Sequence, residues 1–82
     1  MTKKILRFSA TWCQPCKILA KNLEAAKLEI PVEYIDVDSN VSLTDEYGIR
    51  GVPTLVLLDG GKEIARSVGA KTTEELKQWA NQ

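Results

Sequence analysis

Histidine is absent from this sequence, and cysteine occurs only twice, at Cys13 and Cys16. Zinc and iron–sulfur sites usually draw four ligands from Cys and His. A metal at this pair would need carboxylates or a second subunit, so no metal site is expected. Neither sign of charge is in excess: eleven Lys and Arg balance eleven Asp and Glu. With the lysines dispersed, nothing points to a nucleic-acid partner or an anionic membrane. Long hydrophobic runs are missing too, since no stretch approaches the roughly 18 apolar residues that cross a bilayer. The start Met1-Thr2-Lys3-Lys4 is basic, but Ile5-Leu6 gives way at once to Arg7, so no apolar core of a secretory signal develops. The expected compartment is the cytoplasm, where a lone C-x-x-C is more readily a working dithiol than a permanent crosslink. No repeat, linker or low-complexity segment divides the chain. Its 82 residues are read as a single domain, 1–82, near the lower size at which one core holds a fold.

What is present is a regular succession of elements. Lys4 to Ser9 reads as a strand with Leu6 and Phe8 on one face and Ile5 and Arg7 on the other. Arg7 is out of place if that strand is covered on both faces, because a guanidinium there needs a partner or an escape to solvent. From about Gln14 to Leu28 a helix lines up Cys16, Leu19, Ala20, Leu23 and Ala26 or Lys27, with Lys17, Lys21 and Glu24 on the wetter side. Pro31 opens a second strand, Val32 to Val37, whose apolar residues fall on both faces as in a strand buried on two sides. A short helix over Val41 to Tyr47 is stopped by Gly48. The apolar run Leu55-Val56-Leu57-Leu58 and the strand Lys62 to Val68 flank Asp59-Gly60-Gly61, a tight hairpin turn. Thr72 and Glu75 stand three apart like a capping box ahead of a last helix bearing Leu76, Trp79 and Ala80. The order β-α-β-α-β-β-α predicts an α/β fold, a four-stranded mixed sheet flanked by three helices on its two faces.

The two thiols lie where the first strand meets the first helix, in Trp12-Cys13-Gln14-Pro15-Cys16. Thiols three positions apart at a helix start can close into a small disulfide ring, and the unpaired N–H groups and positive dipole end there favour a thiolate. Cys13, at the terminus, is expected to carry the charge and to be the more exposed. Cys16, one turn inside on the core side, is expected to be shielded and able to attack a mixed disulfide at Cys13. Pro15 suits the first turn, where a missing N–H is no loss. A purely structural disulfide is a poor alternative, because so short a ring gains little by loop closure. Two unrelated buried thiols explain neither Trp12 nor the proline between them, although Trp12 taken alone also reads as a core aromatic.

These residues resemble the thioredoxin family. Phe8-Ser9-Ala10-Thr11-Trp12-Cys13-Gln14-Pro15-Cys16 is similar to the family's active-site segment, Tyr47-Gly48-Ile49-Arg50-Gly51-Val52-Pro53-Thr54 to the stretch carrying its cis-proline, and Val68-Gly69-Ala70 to its following glycine turn. The likeness runs from Lys4 onward. It implies a thioredoxin-like fold and a thiol–disulfide oxidoreductase that reduces protein disulfides, with Cys13 as nucleophile and Cys16 as resolving thiol. It also implies a cis Pro53, a docking surface of Trp12, Val52, Pro53 and Gly69, and pairing of the Val52 backbone with an extended substrate. No cofactor is implied beyond the Cys13–Cys16 disulfide itself. The implied partners are disulfide-containing proteins and an electron donor of the thioredoxin-reductase type, acting on a monomer. Glutaredoxin is the poorer match: its motif carries an aromatic between the cysteines, and Gly60-Gly61 here falls in the hairpin and not in a glutathione site. A glutaredoxin-like electron donor and a partner-binding subunit without turnover are the alternatives. The departures are as informative. The family's usual N-terminal strand and helix are not represented, Gln14 stands for the usual Gly, Arg7 occupies the place of a buried Asp, and Tyr34 that of its companion Lys. Gln14, Pro15 and Arg7 are therefore expected to modulate the thiols. For Arg7 the options are a place under the Cys pair, a reach past Tyr34 to Asp36, or simple cover of apolar surface with the charge in water.

Overall fold

The computed structural model describes residues 2–82. Seven elements follow in the expected order: β1 (Lys3–Ser9), α1 (Gln14–Ala26), β2 (Val32–Asp36), α2 (Val41–Glu46), β3 (Thr54–Asp59), β4 (Lys62–Val68) and α3 (Thr73–Ala80). The strands form one sheet in the order β2-β1-β3-β4. β1 and β2 are parallel across the α1 crossover, and β1 with β3 and β3 with β4 are antiparallel. The most apolar run, β3, takes a central place, which explains why it shows no alternation of polar and apolar residues: it is covered on both faces.

Strand alternation divides the core in two. Ile5, Leu55 and Leu57 face α1 and α3, meeting Leu19, Ala26, Leu76 and Ala80. Leu6, Phe8, Val56 and Leu58 face the other way, joined by Ile35 and by Leu43, Tyr47 and Ile49 around α2. The rings of Phe8 and Tyr47 pack tilted, with centroids 5.7 Å apart. Full burial of a side chain such as Leu19 or Leu76 contributes about 1.5–3 kcal/mol relative to exposure. The α1 stripe thus anchors the helix that carries the cysteines.

The turns follow their residue chemistry. Gly60 and Gly61 both have positive φ, 60° and 84°, as a two-residue hairpin with matching twist requires. The Thr72 hydroxyl accepts from the Glu75 N–H at 3.1 Å while the Glu75 carboxylate accepts from the Thr72 N–H at 2.9 Å, a complete capping box.

Two expectations need correction. β2 is not buried on both sides and ends at Asp36: it is an edge strand on which only Ile35 is buried, with Val32 and Tyr34 exposed. The reason is that α1 and α3 pack over β1 and β3, leaving that face of β2 bare. α1 ends two residues earlier than expected, because Lys27 adopts a left-handed conformation at its C-cap, φ 50°.

Candidate active site

The site grows from the turn between β1 and α1. After Ser9 the chain bends so that the Cys13 N–H donates to the Ala10 carbonyl at 3.2 Å. Cys13 is the N-cap of α1, in extended conformation, and its sulfur accepts from the Cys16 N–H at 3.2 Å. Gln14 and Pro15 form the first turn, both exposed, and the proline lies where no intrahelical N–H bond is lost. No acidic residue stands in that first turn, so the positive end of a 13-residue helix is left uncompensated beneath the sulfurs.

Cys13 and Cys16 are joined in a disulfide, with Cα atoms 5.3 Å apart. The expected contrast in exposure is not found in this form: Cys13 is 4% and Cys16 2% accessible. Ala10 and the neighbouring Val37 and Val52 enclose both. The two sulfurs differ in what they face. Cys13 Sγ lies 3.7 Å from the Val52 carbonyl oxygen, at the edge of the Gly51–Thr54 loop. Cys16 lines a cleft of about 150 Å³ on the α1 side of the sheet, together with Arg7, Thr11, Lys17, Ala20 and Tyr34.

The loop opposite is built by its own chemistry. The Val52–Pro53 bond is cis, and Thr54 Oγ1 donates to the Gly51 carbonyl at 2.7 Å. The Gly69 N–H donates to the Pro53 carbonyl at 2.9 Å from a backbone with φ 93°, a region that favours glycine. Val52, Pro53 and Gly69 are thereby brought together beside the disulfide, across a distance in sequence that only the sheet closes. Trp12 flanks them and is not a core aromatic. It is 69% exposed, and its indole Nε1–H donates to Asp38 Oδ2 at 2.9 Å. Beside it a hollow of about 190 Å³ is lined by Val37, Ile49, Arg50, Gly51 and Val52.

Asp38 lies in the turn after β2, and no local sequence pattern ties it to Trp12. Its role as the indole's acceptor follows from the parallel pairing of β1 with β2, which sets the chain after Asp36 next to the turn after Ser9. The Val37 N–H to Ser9 carbonyl bond, 2.9 Å, ties those two strand ends. Arg7 is half-buried on the α1 face of β1, and its guanidinium lies 4.7 Å from the Tyr34 ring centroid. Burial lowers its pKa from the ordinary value, and Tyr34 offsets part of that. It does not reach Asp36, whose Oδ1 accepts from the Asp38 N–H instead.

A redox disulfide at a helix N-terminus, set against a cis-proline loop on an α/β sheet, defines a thiol–disulfide exchange centre. A profile of the thioredoxin family matches residues 1–82. Thioredoxin of Chlamydia trachomatis is 40% identical over 75 residues, covering 88% of this chain and 74% of that protein. A bifunctional thioredoxin reductase/thioredoxin of Mycobacterium leprae is 39% identical over 71 residues, 82% of this chain but 16% of that protein. Among solved structures, a mutant thioredoxin from Halobacterium salinarum NRC-1 superposes with a TM-score of 0.87 at 38% identity, covering 94% of this chain and 70% of that one. The chain belongs to the thioredoxin family. It is a protein thiol–disulfide oxidoreductase, and Cys13–Cys16 is its redox disulfide.

Proposed function

We propose that the chain works as a reductant of protein disulfides, with Cys13 attacking and Cys16 resolving. The observation that carries this reading is the Cys13 sulfur capping α1, where a backbone N–H and an uncompensated dipole act on it. Both favour the thiolate. In the reduced protein the Cys13 thiolate attacks one sulfur of a substrate disulfide, forming a mixed disulfide and expelling the other substrate sulfur as a thiolate. Cys16, having given its proton to solvent, attacks Cys13 Sγ. The mixed disulfide breaks, the second substrate thiolate leaves, and the Cys13–Cys16 bond forms. The protein dithiol loses two electrons and two protons, and the substrate disulfide gains them.

In this reading Trp12, Val52 and Gly69 form the docking surface, with the substrate strand laid along the Val52 backbone; Pro53, expected on that surface from the sequence, has a fully buried side chain and shapes the loop beneath it. Gln14 and Pro15 shape the turn in front of the sulfurs. No dissociable cofactor takes part in the cycle. The electron donor is of the thioredoxin-reductase type, a reading supported by the fused reductase and thioredoxin of Mycobacterium leprae. In this reading the chain acts as a monomer in the cytoplasm; no helix among the described residues is long and apolar enough to cross a membrane.

The division of labour is tested with Cys16→Ser. The variant should accumulate a mixed disulfide through Cys13 with its protein targets, because the resolving attack is gone. If limiting alkylation of the reduced native protein labels Cys16 before Cys13, the two roles are reversed.

A further inference from the structure

The cleft behind Cys16 has an unusual charge inventory. Its cations are Arg7 from β1 and Lys17 from α1, and it contains no carboxylate. The acidic groups nearby in the chain fold are already engaged. Asp36, on the same face of β2 as Tyr34, accepts from the Asp38 N–H, Asp38 accepts from the Trp12 indole, and Glu33 forms an ion pair with Lys4. On the far side of Arg7, β3 presents only Leu55. Among the described residues Arg7 makes no ion pair and no hydrogen bond to a side chain, and the face of Tyr34 is its one recorded partner. The register that pairs Arg7 with Tyr34 puts both on the α1 face, where the bare side of β2 leaves room for the guanidinium.

We propose that Arg7 is a positioning residue for the resolving step: held on Tyr34, its guanidinium favours the thiolate of reduced Cys16, which lines the same cleft. The inference rests on the reading of Cys16 as the resolving thiol. A half-buried guanidinium without an anion is poorly compensated, because a ring face replaces only part of its hydration. Arginine keeps its charge in such a place where a lysine readily gives up its proton. The disulfide form is neutral and offers Arg7 nothing, whereas reduction and loss of the Cys16 proton place a negative sulfur in the same cleft. On this account Cys16 does not need a carboxylate base. Its proton goes to solvent through the open cleft, and the fixed charge makes that loss easier.

The test is stopped-flow reaction of the reduced protein with a small aromatic disulfide that releases a coloured thiolate. Attack by Cys13 releases one equivalent, and resolution by Cys16 releases the second. The pH profile of the second release reads the Cys16 thiol. In Arg7→Met, which keeps the apolar cover over Tyr34, its midpoint should rise by about one unit, a tenfold change in proton affinity. Arg7→Glu should raise it further, Arg7→Lys should return most of the shift, and the first release should move less than the second. Superimposable second-release profiles in wild type, Arg7→Met and Arg7→Glu would overturn the inference, as would equal shifts in both releases. Loss of the first release in the wild type would instead overturn the reading of Cys13, and this inference with it. The unaltered protein gives an independent check: the Arg7 Nε resonance of the reduced form should titrate with the Cys16 Cβ resonance at a common midpoint, and an invariant Arg7 resonance would refute the coupling.

Discussion

Asp38→Ala removes the acceptor that orients Trp12, the most exposed residue of the proposed docking surface. The Trp12 indole is held by one side-chain bond, Nε1–H to Asp38 Oδ2 at 2.9 Å, and is otherwise open to solvent. A hydrogen bond to a charged group contributes more than a neutral one, but exposure at the surface reduces the net value to the ordinary range of about 0.5–1.5 kcal/mol. If the free energy of fixing the indole is felt wholly in docking, kcat/KM falls by about 2- to 12-fold, since about 1.4 kcal/mol is a factor of ten. Asp38→Asn keeps an acceptor without its charge and should lie between wild type and Asp38→Ala. The assay is turnover of a protein disulfide such as insulin, run beside a small aromatic disulfide that is too short to span the Trp12 and Val52 surface. The loss should appear with the protein substrate and be small with the aromatic one. Unchanged kcat/KM for the protein substrate would refute the role of the indole. Equal losses on both substrates would mean that Asp38 acts on the thiols and not on docking.

Two further predictions concern the scaffold. Leu19→Ala empties a fully buried position between α1 and the sheet, and urea denaturation should report a loss of about 2–5 kcal/mol, large for a chain of this size. At α3, Thr72→Ala should cost about 0.5–2 kcal/mol by removing the N-cap acceptor. The Glu75 carboxyl is held below its ordinary value of 4.5 by hydrogen bonds from the Thr72 backbone and side chain. A depressed carboxyl contributes stability that is present above the ordinary value and lost as pH falls through the folded one. Wild type should therefore lose stability more steeply than Glu75→Gln on acidification from neutral pH, and urea midpoints at several pH values will read the difference.

Local signals were strong wherever one residue type answers one structural demand. Cys13, Pro15 and Cys16 at a strand-to-helix junction, two glycines at a hairpin, and Thr72 with Glu75 at a helix start were each legible because the requirement is met within a few residues. What the sequence could not disclose depends on pairing. The apolar residues of β2 look like those of a buried strand, and only the order β2-β1-β3-β4 makes it an edge. The same fact decides Arg7, whose misfit in a central strand was visible but whose resting place on Tyr34 depends on the register of β1 with β2. Asp38 is joined to Trp12 across 26 positions, beyond the reach of any local pattern. The near-equal shielding of Cys13 and Cys16 is likewise tertiary: Ala10, Val37 and Val52 come from three separate connections and enclose both sulfurs.

The central claim is that the cycling of Cys13 with Cys16 carries the activity. It is tested most directly by the rate at which wild type and Cys13→Ser reduce insulin disulfides with dithiothreitol as electron source. The account predicts clear turnover by the wild type and a fall to the uncatalysed background in Cys13→Ser. Undiminished turnover in Cys13→Ser would contradict it.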